Sequence, residues 1–91
     1  MIARHLLIRG RVQGVGYREW AMRTAQSRGL TGWVRNRADG SVEALVCGNG
    51  SAVEGFVEAC RNGPSLARVD AVDCREQDMA AEEGFTIRPT L

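Results

Sequence analysis

The stretch from Arg4 to Gly29, RHLLIRGRVQGVGYREWAMRTAQSRG, decides the fold. Its first part alternates, with Leu6 and Ile8 on one face and His5, Leu7 and Arg9 on the other, so Arg4 to Val12 predicts a β-strand. Gly10, Gly14 and Gly16 then break the pattern. From Tyr17 the apolar positions fall at Tyr17, Trp20, Ala21 and Ala25, the i, i+3, i+4, i+8 stripe of an amphipathic helix, and Gly29 closes that helix as a C-cap.

Downstream, Leu30 to Arg37 predicts a strand, Ala38, Asp39 and Gly40 a turn, and Ser41 to Cys47 a second strand with Val42, Ala44 and Val46 on one side, together a hairpin. Gly48, Asn49 and Gly50 read as a loop. Ser51 and Glu54 have the spacing of a capping box, which starts a second helix with the stripe Val53, Phe56, Val57 and Cys60; Gly63 and Pro64 stop it. Ala67 to Glu76 predicts a further strand, in which Val69 and Ala71 have the opposite parity to Val72 and Cys74, as at a bulge or on two half-buried faces. The polar segment Gln77 to Gly84 predicts a loop, and Phe85 to Arg88 a short edge strand ended by Pro89. This order predicts an α+β fold, a ferredoxin-like βαββαβ sandwich: an antiparallel sheet with two helices on one face and a short C-terminal edge strand. Many unrelated functions share that layout, so function has to be read from a site.

At 91 residues the chain has room for a single domain, 1–91, and a second folded domain is excluded. Apolar residues make up 44% and charged residues 25%, ordinary globular usage rather than the signature of disorder. Twelve Lys and Arg against eleven Asp and Glu leave a formal charge of +1, so no global field draws the protein to nucleic acid or to an anionic membrane. The apolar run at the N-terminus is too short for a signal-peptide core or a membrane span, and a cytoplasmic protein is expected. Cys47, Cys60 and Cys74 are odd in number and fit neither a disulfide framework nor C-x-x-C metal spacing.

Two segments carry more glycine and arginine than folding needs: Gly10 to Arg18, and Gly32 to Gly40. The first lies between a strand and a helix N-terminus, where backbone N–H groups converge on an anion and the helix dipole favours it. Arg18, in the first helical turn, adds a planar fork of donors matched to phosphate oxygens. The same glycines also serve merely to turn the chain, and both uses stay open at this point. The loop lacks the Gly-Lys-Ser/Thr of a P-loop, and Glu19 stands where a dinucleotide fingerprint wants its third glycine, so nucleotide binding is disfavoured.

Together the two segments resemble the signature of the acylphosphatase family, approximately G-x-V-Q-G-V-x-[FY]-R followed by G-W-V-x-N-x-x-[DG]-G-x-V. Gly10, Val12, Gln13, Gly14, Val15, Tyr17 and Arg18 match the first part; Gly32, Trp33, Val34, Asn36, Asp39, Gly40 and Val42 match the second. Tyr17 stands where many members have phenylalanine, and its ring is expected to pack while its hydroxyl reaches water. The resemblance implies hydrolysis of an acyl phosphate to a carboxylate and inorganic phosphate. It implies a phosphate-binding loop of Gln13, Gly14, Val15, Gly16, Tyr17 and Arg18, with Arg18 binding phosphate and Asn36 orienting the attacking water. It also implies a monomer without cofactor or metal. A carboxylate leaves without needing a proton, which fits the lack of any His pair: the only histidine, His5, faces away from Leu6 and Ile8 and reads as solvated or structural.

The remaining candidates have blander readings. Trp20 and Trp33 could stack a base, but packing is favoured because aromatic residues total 5% and charge is balanced. Arg35 and Arg37 flank Asn36 and could attract an anion, although a solvated face explains them. Glu82 and Glu83 form an acidic pair with no assigned role. Two rivals to the enzyme remain. One is a binding module that holds an acyl or carbamoyl phosphate, as in hydrogenase-maturation carbamoyltransferases, where the domain sits in a much longer chain; ending at Leu91 favours the free-standing enzyme. The other is an RNA-binding domain, disfavoured because aromatic stacking positions on the central strands are absent.

Overall fold

The computed structural model describes residues 1–78 and 83–91. Strand β1 (Ile2–Arg11) leads into helix α1 (Tyr17–Ser27), the hairpin of β2 (Thr31–Asn36) and β3 (Val42–Gly48), helix α2 (Gly50–Cys60), strand β4 (Arg68–Glu76) and strand β5 (Phe85–Ile87). One five-stranded sheet has the order β4-β1-β3-β2-β5. Its parity sets the layers. Leu6, Ile8, Val34, Val42, Ala44 and Val46 pack with Tyr17, Ala21 and Ala25 of α1 and Val53, Phe56, Val57 and Cys60 of α2, so both helices cover one face. Burying each aliphatic side chain of this kind stabilises the fold by about 1.5–3 kcal/mol.

The other face has no helix and is built differently. Ala3, Trp33, Leu45 and Cys47 form a small apolar cluster there. Beside it Glu43, only 8% exposed, accepts from Arg35 Nε at 2.7 Å and pairs with His5 Nε2 at 2.7 Å. Burial pushes the Glu43 carboxyl up, but the hydrogen bonds from Arg35 and His5 outweigh it and hold the group below its ordinary value. Arg35 and Arg88 lie over the Trp33 ring at 4.7 and 4.8 Å. His5, Trp33 and Arg35 thus have structural employment on this face.

Helix α1 ends as its sequence predicts. Gly29 takes φ +69°, and the N–H groups of Gly29 and Leu30 return to the carbonyls of Gln26 and Ala25, a Schellman motif that buries Leu30. The start of α2 corrects the capping-box expectation. Asn49 is the N-cap: its Oδ1 accepts from the Ser51 backbone N–H at 3.0 Å and from the Ser51 hydroxyl at 2.9 Å. Ser51 therefore lies inside the helix with its hydroxyl already spent, and Asn49 and Gly50 are cap and first turn rather than loop.

The expected bulge lies between β1 and β4. Arg9 pairs with Ala71 and Gly10 with Val69, leaving Asp70 as the extra residue, so Val69 and Val72 both pack toward the core despite their spacing. A Cβ on Gly10 would sit 2.2 Å from the Arg68 carbonyl oxygen, so only glycine fits. At the far edge β5 pairs with β2 in parallel, which makes the sheet mixed, with its other pairings antiparallel as expected. Phe85 is buried there against Phe56, ring centroids 5.9 Å apart. The loop expected at Gln77 to Gly84 falls partly on residues 79–82, outside the described residues, as does Glu82.

Candidate active site

The loop after β1 is shaped by its glycines. Gly14 and Gly16 have φ +73° and +80°, and a Cβ at either position would meet nothing within 4 Å, so backbone conformation rather than space requires glycine. Gly16 is the N-cap of α1, and no side chain caps the helix. The orphan N–H groups of its first turn are left to an incoming acceptor, at the positive end of the helix dipole.

Gln13, Gly14, Gly16, Tyr17 and Arg18 line a cleft of about 240 Å³, and Asn36, from the end of β2, lines the same cleft. Residues far apart in sequence are thereby brought to one place. Val15 is the exception among the expected loop residues: it turns inward and packs against the core. Among the described residues Arg18 makes no ion pair and donates to no protein acceptor, which leaves its guanidinium available. Asn36 is fixed through its backbone, paired with Val42 across the hairpin, while its carbonyl accepts from the Leu91 N–H at 3.1 Å.

Gln13 has a role the sequence did not expose. Its Nε2 donates to the carbonyls of Arg37 at 2.8 Å and Ser41 at 2.9 Å, so both amide hydrogens tie the glycine loop to the hairpin that carries Asn36. Its side-chain amide is a staple between the two motifs rather than a phosphate donor. The hairpin turn is closed by Asp39, whose Oδ1 accepts from the Ser41 N–H at 2.9 Å and the Ser41 hydroxyl at 2.5 Å; these bonds hold the carboxyl below its ordinary range.

Tyr17 corrects an expectation. Its hydroxyl does not reach water; it donates to the Cys60 carbonyl at the end of α2 at 2.6 Å, and the residue is 2% exposed. Burial, with Cys60 beside it, pushes the phenol far above its ordinary value, so it stays neutral and a donor. Trp20 packs edge-on against the Tyr17 ring, centroids 5.3 Å apart, in keeping with packing rather than base stacking. Tyr17→Phe leaves the buried Cys60 carbonyl without its donor and is expected to destabilise the fold by about 1–2 kcal/mol, measured as a lower urea midpoint at unchanged m-value.

Three cleft residues lie outside the expected set: Glu19, Ile87 and the buried Val12. Glu19 reaches the cleft from the first turn of α1, ion-paired with Arg23 at 3.0 Å, and Ile87 reaches it from β5. In the sequence Glu19 stands out only for occupying the place of a dinucleotide fingerprint's third glycine, and its i, i+4 spacing to Arg23 is that of an ordinary helix-surface pair. Ile87 gave no signal, because only tertiary pairing of β5 with β2 brings it there. Among the described residues no three His, Cys, Asp or Glu side chains group closely enough to hold a metal ion, and no helix is long and apolar enough to cross a membrane.

Known proteins share this fold. The family model described as Acylphosphatase matches residues 4–87. An acylphosphatase of Nitrobacter hamburgensis is 57% identical over 88 residues, covering 97% of this chain and 87% of the relative. The crystal structure of acylphosphatase from Bacillus subtilis superposes with a TM-score of 0.94 at 38% identity, covering 97% of this chain and 99% of that one. Full-length HypF, solved in a phosphate- and nucleotide-bound form, also matches, with a TM-score of 0.90 and 31% identity over 98% of this chain but only 12% of its own length. With the family model spanning the glycine loop, the asparagine hairpin and the final strand, and with relatives of its own length, the chain belongs to the acylphosphatase family of enzymes.

Proposed function

We propose that the enzyme hydrolyses the carboxyl–phosphate bond of an acyl phosphate whose phosphate is held by the 13–18 loop and Arg18, by attack of a water oriented by Asn36. The observation that carries this is the shared cleft: uncapped N–H groups and an unpaired guanidinium meet the carboxamide of Asn36, whose backbone the hairpin holds in place. The loop N–H groups and Arg18 neutralise the phosphoryl oxygens. The Asn36 carboxamide accepts a hydrogen bond from the water and sets its oxygen in line with the scissile bond. The new P–O bond forms as the bond to the carboxylate oxygen breaks, the bonding pair leaves with the carboxylate, and the water proton passes to a phosphate oxygen. Positioning and electrostatics supply the catalysis, since a carboxylate leaves without protonation.

A monomer is the working unit of this proposal, whose mechanism calls on the 13–18 loop, Arg18 and Asn36 of a single chain. Three free thiols suit a cytoplasmic, reducing setting. The auxiliary-module alternative draws on the HypF match, but the near-complete coverage of an acylphosphatase chain favours a catalyst over an auxiliary module. Phosphate release from benzoyl phosphate, corrected for spontaneous hydrolysis, is the test. Turnover is expected to be saturable, competitively inhibited by inorganic phosphate, and unchanged by exhaustive EDTA treatment. Loss of activity on chelation, restored by a divalent ion, would refute the metal-free mechanism.

A further inference from the structure

Beyond β5 the chain keeps to the outer edge of the hairpin. The Arg88 N–H donates to the Val34 carbonyl at 2.9 Å, the Leu91 N–H to the Asn36 carbonyl at 3.1 Å, and the Ala38 N–H to the Leu91 carbonyl at 2.9 Å. Leu91 thus bonds the residues on both sides of Arg37. The opposite edge of the same backbone is held from within the molecule: the Arg37 N–H donates to the Ser41 carbonyl at 2.9 Å, and the Arg37 carbonyl accepts from Gln13 Nε2 at 2.8 Å. Successive peptide groups of an extended chain point to opposite edges, so neither set of bonds can stand in for the other. Strand β2 ends at Asn36 and β3 begins at Val42, so these bonds lie where regular pairing gives out. The Leu91 side chain is 61% exposed and adds little burial; what this residue contributes is its peptide groups. Pro89 restricts the backbone just before it, which lowers the entropy lost when the tail is laid down.

We propose that the tail, through the Leu91 peptide groups, is a positioning element for Asn36: by tying the backbone on both sides of Arg37 it sets where the Asn36 carboxamide lies in the cleft. The inference rests on the water-orienting role proposed for Asn36 above and adds the segment that holds that residue in register. Among the described residues no hydrogen bond joins Thr90 or Leu91 to the 13–18 loop, so the tail acts on the water side of the site and not on the phosphate side. Misplacing a positioned group by about 1 Å can cost about 10²-fold in rate, so a loosened hairpin end is felt in turnover before it is felt in stability.

The test measures kcat with benzoyl phosphate and the inhibition constant for inorganic phosphate in Leu91→Ala, Leu91→Pro and a chain truncated after Pro89, the truncation being made also on Asn36→Ala. Leu91→Pro removes the N–H that meets Asn36 and keeps the carbonyl; about a fivefold fall in kcat is expected, and about 10- to 30-fold for the truncation, which removes both bonds. Both should leave the phosphate inhibition constant within about twofold of wild type, and Leu91→Ala, which keeps the backbone bonds, should restore kcat to about the wild-type value. On Asn36→Ala the truncation should cost nothing further, because groups that act through one another are not additive. Unchanged kcat in the truncated chain, a loss in Leu91→Ala as large as in the truncation, or an equal further loss on Asn36→Ala overturns the inference. So does failure of both Leu91→Pro and the truncated chain to fold by circular dichroism, which would make the tail part of the fold's stability. Wild-type kcat in Asn36→Ala would instead overturn the role of Asn36, and the inference with it.

Discussion

Arg18→Ala is expected to lose both phosphate affinity and rate. A guanidinium that meets two phosphoryl oxygens makes two charge-assisted hydrogen bonds, each contributing about 1.5–3 kcal/mol, so kcat/KM should fall about 10²- to 10⁴-fold and the inhibition constant for phosphate should rise with it. Arg18→Lys separates fork from charge. An ammonium keeps the charge but reaches one oxygen at a time, and about a 10- to 100-fold loss is expected. The fold should survive both changes, because Arg18 has no protein partner among the described residues and is not part of the core cluster. Near-normal kcat/KM in Arg18→Lys, measured with benzoyl phosphate, would show that charge alone suffices and would refute bidentate binding.

What was legible in the sequence was whatever a local pattern encodes. The change from the two-residue period at Leu6 and Ile8 to the helical stripe at Tyr17, Ala21 and Ala25 gives β1 and α1 directly, since periodicity reports which side of each element is buried. Gly14, Gly16 and Gly29 adopt positive φ where the loop and cap require it, and the opposed parities around Val69 and Val72 betray the bulge at Asp70. The start of α2 was misplaced because Asn49 and Ser51 are both competent caps, and only geometry decides which side chain takes the orphan donor. The parallel pairing of β5 was not legible, since a strand of three residues carries no usable period.

The site divides in the same way. Arg18 and Asn36 sit in recognisable motifs, whereas their juxtaposition depends on bonds that span the chain. The Gln13 amide reaches carbonyls of the hairpin, and the Tyr17 hydroxyl reaches Cys60 on the other helix. No spacing rule connects a donor to an acceptor on a separate element. Ile87 enters the cleft for a similar reason, through the register of an edge strand rather than through its own neighbours in sequence.

Asn36→Ala should fail differently from Arg18→Ala, because the proposed role of Asn36 is to place the water rather than to hold phosphate. The substitution leaves the 13–18 loop and Arg18 untouched, and the bonds that hold position 36 run through its backbone: the ladder with Val42 and the carbonyl that accepts from Leu91. The loop stays stapled to the hairpin through Gln13, whose acceptors are the carbonyls of Arg37 and Ser41. The inhibition constant for phosphate is therefore expected to stay within a few-fold of wild type, while kcat falls by about 10²- to 10³-fold, roughly 2.7–4 kcal/mol, the usual cost of removing one positioned polar group from an active site. Circular dichroism and the urea midpoint should first establish that the variant is folded. Asn36→Asp supplies the control: it keeps an acceptor oxygen at the same place but adds a charge beside the phosphate, so it should lose affinity as well as rate. If folded Asn36→Ala loses phosphate affinity as severely as Arg18→Ala while keeping its rate at saturation, Asn36 is a phosphate ligand and the water is positioned by another group.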